Sequence, residues 1–207
     1  MNFAELRKSS HSEAQRLGYA TNPSLPLLDP NLCLRSKDQV TQRALTLHCV
    51  VAASHGFRRE GSLEWLRREQ LADSLTPKER AFLVGGVTDT IQFQVQGECL
   101  WVFAWVLGKV ERLDFAQPAP GHLVTLYPDL KNSESSARWR EDLSLRSEAQ
   151  VLAACDLAYC LHWAINQSRV QGRGRTASLM PYVIVERRRA LEWLLGQAQW
   201  DDVELDT

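Results

Sequence analysis

Three ionisable residues lie inside otherwise apolar stretches of the chain, and they are the first candidates for chemistry. Glu98 opens the run ECLWVFAWVLG, whereas Asp156 and His162 lie within VLAACDLAYCLHWAI. A carboxylate beside a histidine can act as an acid or a base when burial shifts its pKa. One hypothesis is therefore a hydrolytic enzyme in which Glu98 and Asp156 do acid–base work and His162 assists.

A buried polar network is the other interpretation of these residues, and the one we prefer. A buried carboxylate costs several kcal/mol unless it is paired or hydrogen-bonded, so Glu98 and Asp156 need partners. By residue type, Arg187 or Arg189 supplies the positive charge. No glycine-rich phosphate loop, nucleophile turn or zinc-ligand spacing accompanies them, and we expect neither a metal nor a cofactor. The predicted network comprises Arg43, Glu98, Asp156, Tyr159, His162, Glu186 and Arg187.

Two hydrophobic helices must carry most of these residues. The first is predicted over about 88–109 and the second over about 147–168, because apolar residues recur at spacings of three and four. A helix without a polar face is surrounded by protein, so both should be central, with Trp101 and Trp105 in the core. The pattern predicts an all-α fold in a single globular domain over residues 1–207.

The front of the chain differs from the body. A helix is predicted over about 3–17, and the proline-rich stretch 21–31 reads as an extended connector because proline blocks helix. These parts form an N-terminal helix and arm (1–31), and the body follows over 32–207. Within the body, Ser36 with Gln39 forms a capping-box pattern, and Thr76-Pro77-Lys78-Glu79 is a helix-start signal.

Composition limits the classes of partner. The chain is 44% hydrophobic and 24% charged, with 24 basic and 25 acidic side chains, so the net charge is 24 − 25 = −1. Near neutrality disfavours general nucleic-acid binding and anionic membranes. Five cysteines without a CxxC pair indicate free thiols in a reducing cytoplasm. Neither a signal-peptide core nor an apolar run of membrane-spanning length is present, and we expect a soluble cytoplasmic protein.

Four residues are candidates for contacting a partner. Trp139, in the polar context SSARWRED, is either a partly exposed interface residue or a tryptophan folded back on its own loop. Arg169, Arg173 and Arg175 lie in RVQGRGR, which is predicted to be an exposed basic loop; phosphate binding is the alternative function of these arginines.

Five segments of the chain, taken in order, carry a family resemblance: LRSKDQVTQRALTLHCVVAASHG, TPKERAFL, GECLWVFAWVLGKVERL, DLAYCLHWAINQSR and ERRRALEWLLGQAQWDDVELDT. They resemble a widespread bacterial family catalogued as domain of unknown function 4272. The resemblance covers most of residues 32–207 and implies a mainly helical cytoplasmic protein. The family has no assigned activity, so it supplies no catalytic residues. The central region 114–140 does not obviously match, and partner specificity is expected there.

These observations favour a non-catalytic protein-interaction domain of the immunity or adaptor kind, whose partner is another protein. The hydrolytic enzyme using Glu98, Asp156 and His162 stays the alternative. Phosphate or nucleic-acid recognition through 169–175 is a third hypothesis. The identity of the partner and the oligomeric state are left open by the sequence.

Overall fold

The computed structural model describes residues 2–171 and 180–206, and every regular element within these ranges is a helix, which confirms the all-α prediction. Short 3-10 turns at Ala72–Ser74, Leu123–Leu126 and Trp200–Asp202 lie between or after the α-helices. None of the described helices is both long and apolar enough to cross a membrane. The α-helices are α1 (Phe3–Arg16), α2 (Lys37–Ser54), α3 (Arg59–Arg68), α4 (Pro77–Leu83), α5 (Ile91–Gln94), α6 (Gly97–Val106), α7 (Ser136–Glu141), α8 (Glu148–Val170) and α9 (Pro181–Leu195).

Local sequence signals set where the helices begin. Helix α2 starts after Ser36, whose hydroxyl accepts from the backbone N–H of Gln39 while the Gln39 side chain accepts from the Ser36 N–H. Thr76 and Glu79 form the same reciprocal box at α4. Both boxes satisfy N–H groups that a helix start leaves unpaired, and both predictions from the sequence are confirmed.

The chain folds into two compact units. Unit 1 contains Met1–Arg35, Leu113–Pro118 and Arg146–Thr207, and unit 2 contains Ser36–Arg112 and Ala119–Leu145. The single domain over residues 1–207 stays a prediction. In unit 1, α8 packs against both α1 and α9, so it is the central helix that its apolar sequence indicated.

In unit 2, α2 is the hub, because it packs against α3, α4, α5 and α6. Arg43, which the sequence placed in the buried network, is buried on this helix, and Thr46 and His48 are buried too. Helix α6 is buried except at Gly97 and Trp101, in agreement with its uniformly apolar sequence. The interior of unit 2 therefore contains two helices, α2 and α6, that carry buried polar side chains.

Two details of the predicted helix over 88–109 are wrong. The helix divides into α5 and α6, because the chain tightens between them: the N–H of Gln96 donates to Phe93 O, and that of Glu98 donates to Val95 O. Such three-residue bonds replace the four-residue pattern of an α-helix next to Gly97, a poor helix former. Trp101, expected in the core, is only partly buried.

Candidate functional site

Asp156 lies in a closed ion pair at the centre of unit 1. Its side chain is paired with Arg7 of α1, whose Nε lies 3.1 Å from both carboxylate oxygens and whose Nη2 lies 2.7 Å from Oδ1. Arg7 also donates to the carbonyls of Leu25 (3.0 Å) and Pro26 (2.8 Å). Burial lowers the pKa of Arg7, but Asp156 outweighs that effect and the pKa is raised. The pair thus joins α1, α8 and the proline-rich connector.

Sequence reasoning gave Asp156 the wrong partner. Arg187 and Arg189 were the expected cations, but the pair forms with Arg7, which is 149 residues away in the sequence. The sequence did contain a sign that Arg7 is buried. Arg7 shares a face of α1 with the buried residues Ser10 and Ala14 at helical spacing. A positive charge on the buried face of an amphipathic helix requires a buried acceptor.

His162 lies in the same unit and is occupied by Arg188. The Nη1 of Arg188 donates to His162 Nδ1 over 2.8 Å. Burial, followed by the charges of Arg188 and Arg169, lowers the pKa of His162 to about 4, so the ring is neutral near pH 7 and accepts this bond. The ring of Tyr159 lies 4.8 Å from the Arg188 guanidinium and 5.5 Å from that of Arg7. Tyr159 thereby links the two arginines.

Other members of the predicted network have separate partners. In unit 2, Arg43 pairs with Glu79, and the backbone N–H of Ala119 donates to Glu98 Oε1 over 2.9 Å. Glu79 was predicted only as a capping residue, and it serves both the cap and this buried pair.

Helix α9 holds the remaining two members in unit 1. Arg187 is fully buried and donates to the carbonyls of Asp114 and Gln117, the latter over 2.9 Å. Glu186 accepts a hydrogen bond from Arg189 over 3.1 Å. Arg187 therefore binds backbone oxygens of the segment 113–118.

The structure places the three residues of the hydrolytic hypothesis in two different units. Asp156 and His162 belong to unit 1 and Glu98 to unit 2, and each accepts hydrogen bonds from its own protein partner. All three side chains are buried. The hydrogen bonds of these three residues hold neighbouring segments of the protein together.

Unit 2 contains an open cleft of about 1100 Å³ that sequence reasoning missed. Its walls are the C-terminal end of α2, one face of α3 and the segment 124–134. The segment 124–134 falls in the region that does not resemble the family. Nothing in the sequence pairs that segment with α3, because their contact depends on tertiary folding.

Aromatic rings form the floor of the cleft. His48 stacks on Tyr127 with ring centroids 5.0 Å apart, and Tyr127 stacks on Trp139 at 5.6 Å. Trp65 lies in the same wall and its indole N–H donates to Glu134 O over 2.7 Å. These contacts fix the rings and give the cleft a rigid apolar base.

His48 carries an unpaired acceptor at this floor. Its Nε2 lies 3.0 Å from Pro128 O, so Nε2 bears the proton and donates. Burial is the main cause that lowers the pKa of His48 to about 4, and the ring is therefore neutral near pH 7. Nδ1 then has a lone pair, and no donor within the described part of the chain reaches it. Buried polar atoms are normally hydrogen-bonded, which makes this atom an exception.

The candidates for partner contact are placed differently from expectation. Trp139 is buried, its indole N–H donates to Leu126 O over 2.7 Å, and its ring backs the cleft, so it offers no exposed anchor. Of the two alternatives, the structure gives the tryptophan folded back on its own segment. Arg169 is exposed in the last turn of α8, not in a loop. Arg173 and Arg175 lie outside the described residues.

Among the described residues, no group of three or more His, Cys, Asp or Glu side chains converges to hold a metal ion. The free thiols of Cys49, Cys99, Cys155 and Cys160 are buried, and only Cys33 of the five cysteines is exposed. Burial raises the pKa of Cys49 and Cys155 well above the usual value, which keeps them protonated. These thiols are packing groups.

Comparison with known proteins gives a family and no closer relative. The model of the family described as Domain of unknown function (DUF4272) matches residues 6–203 of the chain, which is nearly its whole length. No curated protein and no solved structure matches the chain.

Proposed function

We propose, for a chain that belongs to the DUF4272 family, a role as a non-catalytic protein-interaction domain that uses the cleft of unit 2 as its binding surface. The observation that carries the proposal is the cleft itself. It is open, and its floor is built of stacked aromatic rings. The proposed partner is another protein.

The size and lining of the cleft favour a protein segment as occupant. Small-molecule pockets are mostly enclosed and span roughly 300–1,000 Å³. This cleft is open and reaches about 1100 Å³. Val124 leaves 50% of its surface exposed at the rim, beside Phe57 and Ala52, which are also partly exposed. Apolar grooves with fixed aromatic walls are how many domains hold a strand or helix of a partner.

The buried ionisable residues support a scaffold role. Asp156, His162 and Glu98 each accept a hydrogen bond from a neighbouring group, and burial leaves His162 a weak base. A catalytic group needs access to substrate. No specific observation favours the hydrolytic alternative.

The setting that we propose is the bacterial cytoplasm. Four of the five cysteines are buried as free thiols, and the fifth, Cys33, is an exposed thiol. Exposed free thiols persist in reducing compartments. The resemblance to a bacterial family supports a bacterial origin.

A matched pair of substitutions tests the binding surface. Val124 lies in the cleft, whereas Val84 is similarly exposed in unit 2 outside it. Wild type, Val124→Asp and Val84→Asp are immobilised, exposed to an extract of the source cells, and compared by quantitative mass spectrometry and by melting temperature. We expect a protein that wild type and Val84→Asp retain and that Val124→Asp loses, with all three melting temperatures alike. Retention by all three, or by none, contradicts the proposal.

A further inference from the structure

The last turn of α3 holds the wall segment of the cleft, which is formed by residues 124–134. The indole N–H of Trp65 donates to the carbonyl of Glu134 over 2.7 Å. Two residues further along the chain, both the backbone N–H of Ser136, over 3.1 Å, and its hydroxyl donate to Glu69 Oε2. We call these bonds of Trp65 and Glu69 the anchor contact. They connect two walls of the cleft, α3 and the wall segment.

Glu69 lies at a position where the helix itself disfavours a carboxylate. It is the C-cap residue of α3, and its N–H donates to Trp65 O over 3.0 Å. The C-terminal end of a helix carries partial negative charge and favours cations, which Arg67 and Arg68 supply in the last turn. An acidic residue there opposes the local preference, and its two bonds from Ser136 offset that cost. The residue type at this position serves a contact that is distant in sequence.

The carboxyl group of Glu69 is nonetheless ionised. Burial, the largest single effect, raises its pKa, but the hydrogen bonds from Ser136 and the charge of Arg68 outweigh it, so the pKa is lowered. Hydrogen bonds to a charged acceptor are stronger than bonds between neutral groups. Only 10% of the side chain is exposed, so water competes little for the anchor contact.

The backbone takes uncommon conformations on both sides of the anchor contact. In the described part of the chain, the residues other than glycine with positive φ are Gln70 (59°), which follows Glu69, and Ser133 (52°), which precedes Glu134. Such residues cost free energy in the left-handed region and persist where the surrounding structure holds them. Strain of this kind is concentrated at functional sites. Its place at both ends of the contact indicates that the position of the wall matters.

Between its attachment points, the wall segment contains a turn that holds its own shape. The N–H of Glu134 donates to Asp129 O over 2.9 Å, and the N–H of Asp129 donates to Glu134 Oε2 over 2.8 Å. At the other end, His48 Nε2 of α2 donates to Pro128 O over 3.0 Å. The turn does not need α3 for its internal bonds. Loss of the anchor contact therefore leaves the turn intact and changes where it lies.

Resting on the proposed binding role of the cleft, we infer that Glu69 is a positioning residue, which through Ser136 sets the separation of α3 and the wall segment that a partner protein requires. Neither Glu69 nor Ser136 lines the cleft, so neither touches the partner. Glu69 acts through the wall that it holds. The exposed side chain of Val124, which the partner contacts in the proposed role, belongs to that wall.

The separation of the two walls can be measured without a ligand. Glu64 on α3 and Lys131 on the wall segment are exposed residues that line the cleft. Both are replaced by cysteine and spin-labelled in the full chain with Cys33→Ser, because Cys33 is exposed and the other four cysteines are buried. Double electron–electron resonance then gives the distribution of distances between the labels.

The variants are Glu69→Ala, Ser136→Ala and Glu69→Gln. Glu69→Ala removes both bonds and Ser136→Ala removes one, whereas the amide of Glu69→Gln can accept from the Ser136 N–H and donate to its hydroxyl. Glu60→Ala is the control, because Glu60 is an exposed carboxylate of α3 outside the cleft. Tyr127 and Leu130 keep the wall segment attached to the interior, so we expect all four variants to fold. Melting temperatures check this.

We expect Glu69→Ala to lengthen and broaden the distance distribution, Ser136→Ala to do so less, and Glu69→Gln and Glu60→Ala to match wild type. The second measurement is retention of the partner protein that Val124→Asp loses and Val84→Asp keeps. Glu69→Ala should retain about tenfold less of it, because two bonds to a charged acceptor are lost, and Glu69→Gln should restore retention. If Glu69→Ala does not fold, Ser136→Ala decides on the same two measurements.

An unchanged distance distribution in Glu69→Ala and Ser136→Ala overturns the inference and leaves the proposed binding role standing. A changed distribution with full retention also overturns it, because the position of the wall would then not matter to the partner. A loss of retention in Glu69→Gln as large as in Glu69→Ala contradicts it as well. If wild type retains no protein, the proposed binding role fails, and the role of Glu69 in binding fails with it.

Discussion

The same residue types have different surroundings in the polar interior of unit 1 and in the cleft of unit 2. In unit 1, Asp156 and His162 are buried, and Arg7 and Arg188 donate to them directly. In the cleft, His48 is also a buried and neutral histidine, yet its Nδ1 has no donor, and Arg58 on the cleft wall is exposed and lies 3.9 Å from Glu64. A perturbed pKa is common to both regions.

The difference between the regions lies in pairing and in access to solvent. Where ionisable residues are buried and paired with one another inside the protein, they hold helices in place and are costly to remove. Where aromatic side chains form the floor of an open cleft, a ligand can reach a binding surface. Access to solvent separates the scaffold from the binding surface, and residue type alone does not.

Breaking the Arg7–Asp156 pair should have the largest effect. We expect Asp156→Asn to lower the free energy of unfolding by about 3–5 kcal/mol, because it leaves the Arg7 charge buried without its counter-ion. Urea denaturation measures the change. Asp202→Asn, an exposed aspartate in unit 1, is the control and should change stability by less than about 0.5 kcal/mol. Equal stability of Asp156→Asn and wild type would mean that the pair is not a closed scaffold.

Acid should expose the difference between a buried and an exposed histidine at the cleft. The folded-state pKa of His48 is about 4 and its ordinary value is 6.5, so the unfolded chain binds more protons between these limits. Stability is therefore unaffected by this group above pH 6.5 and falls as the pH decreases toward about 4, by about 3 kcal/mol in all. The main cause of the shift is burial, and Asp129 opposes it.

The measurement is the free energy of unfolding against pH for wild type, His48→Gln and His55→Gln. His48→Gln should make the acid limb shallower and leave the part that is due to His162, whereas His55→Gln, at an exposed position beside the same cleft, is the control for the substitution itself. Parallel curves for wild type and His48→Gln would show that His48 titrates normally.

Removing one hydroxyl from the cleft floor should have a smaller effect. The Tyr127 hydroxyl donates to Leu100 O over 2.6 Å in the interior of unit 2. Tyr127→Phe should lower the unfolding free energy by about 1–2 kcal/mol, because the carbonyl loses a buried donor while the ring stack is kept. Thermal denaturation measures the change. Tyr182→Phe, at an exposed tyrosine, is the control and should leave the unfolding free energy unchanged. If Tyr127→Phe lost no more stability than Tyr182→Phe, the Tyr127 hydroxyl would be in contact with solvent at the cleft floor.

Replacing Glu98 should have the smallest effect on function. In Glu98→Gln the new amide oxygen can still accept from the Ala119 N–H, so we expect the variant to fold. Partner capture by the immobilised variant should match wild type. Hydrolysis of any substrate by wild type that Glu98→Gln abolishes, with its melting temperature unchanged, would revive the enzymatic hypothesis.

Local features of this chain could be predicted from its sequence, because they depend on neighbours. The capping boxes at Ser36 and Thr76 and the apolar faces of α6 and α8 are of this kind. The division between α5 and α6 was missed because a single weak helix former does not reveal where the bonds tighten.

The candidate site could not be predicted from residues that are neighbours in the sequence. The partner of Asp156 lies 149 residues away, so type and proximity in sequence selected the wrong arginine. Trp139 has polar neighbours in sequence but packs on Tyr127, because tertiary contacts decide its burial. The cleft joins α3 to the segment 124–134, and no spacing rule relates these two stretches.

The most direct test of the account is the quantitative capture of a partner protein from an extract of the source cells by immobilised wild type, Asp156→Asn and Val124→Asp, at a temperature where all three are folded. The account predicts that Asp156→Asn retains the partner as wild type does despite its lower stability, and that Val124→Asp retains at least about tenfold less with its stability intact. Loss of binding in folded Asp156→Asn, with Val124→Asp unaffected, would contradict it, because function would then depend on the closed pair and not on the open cleft.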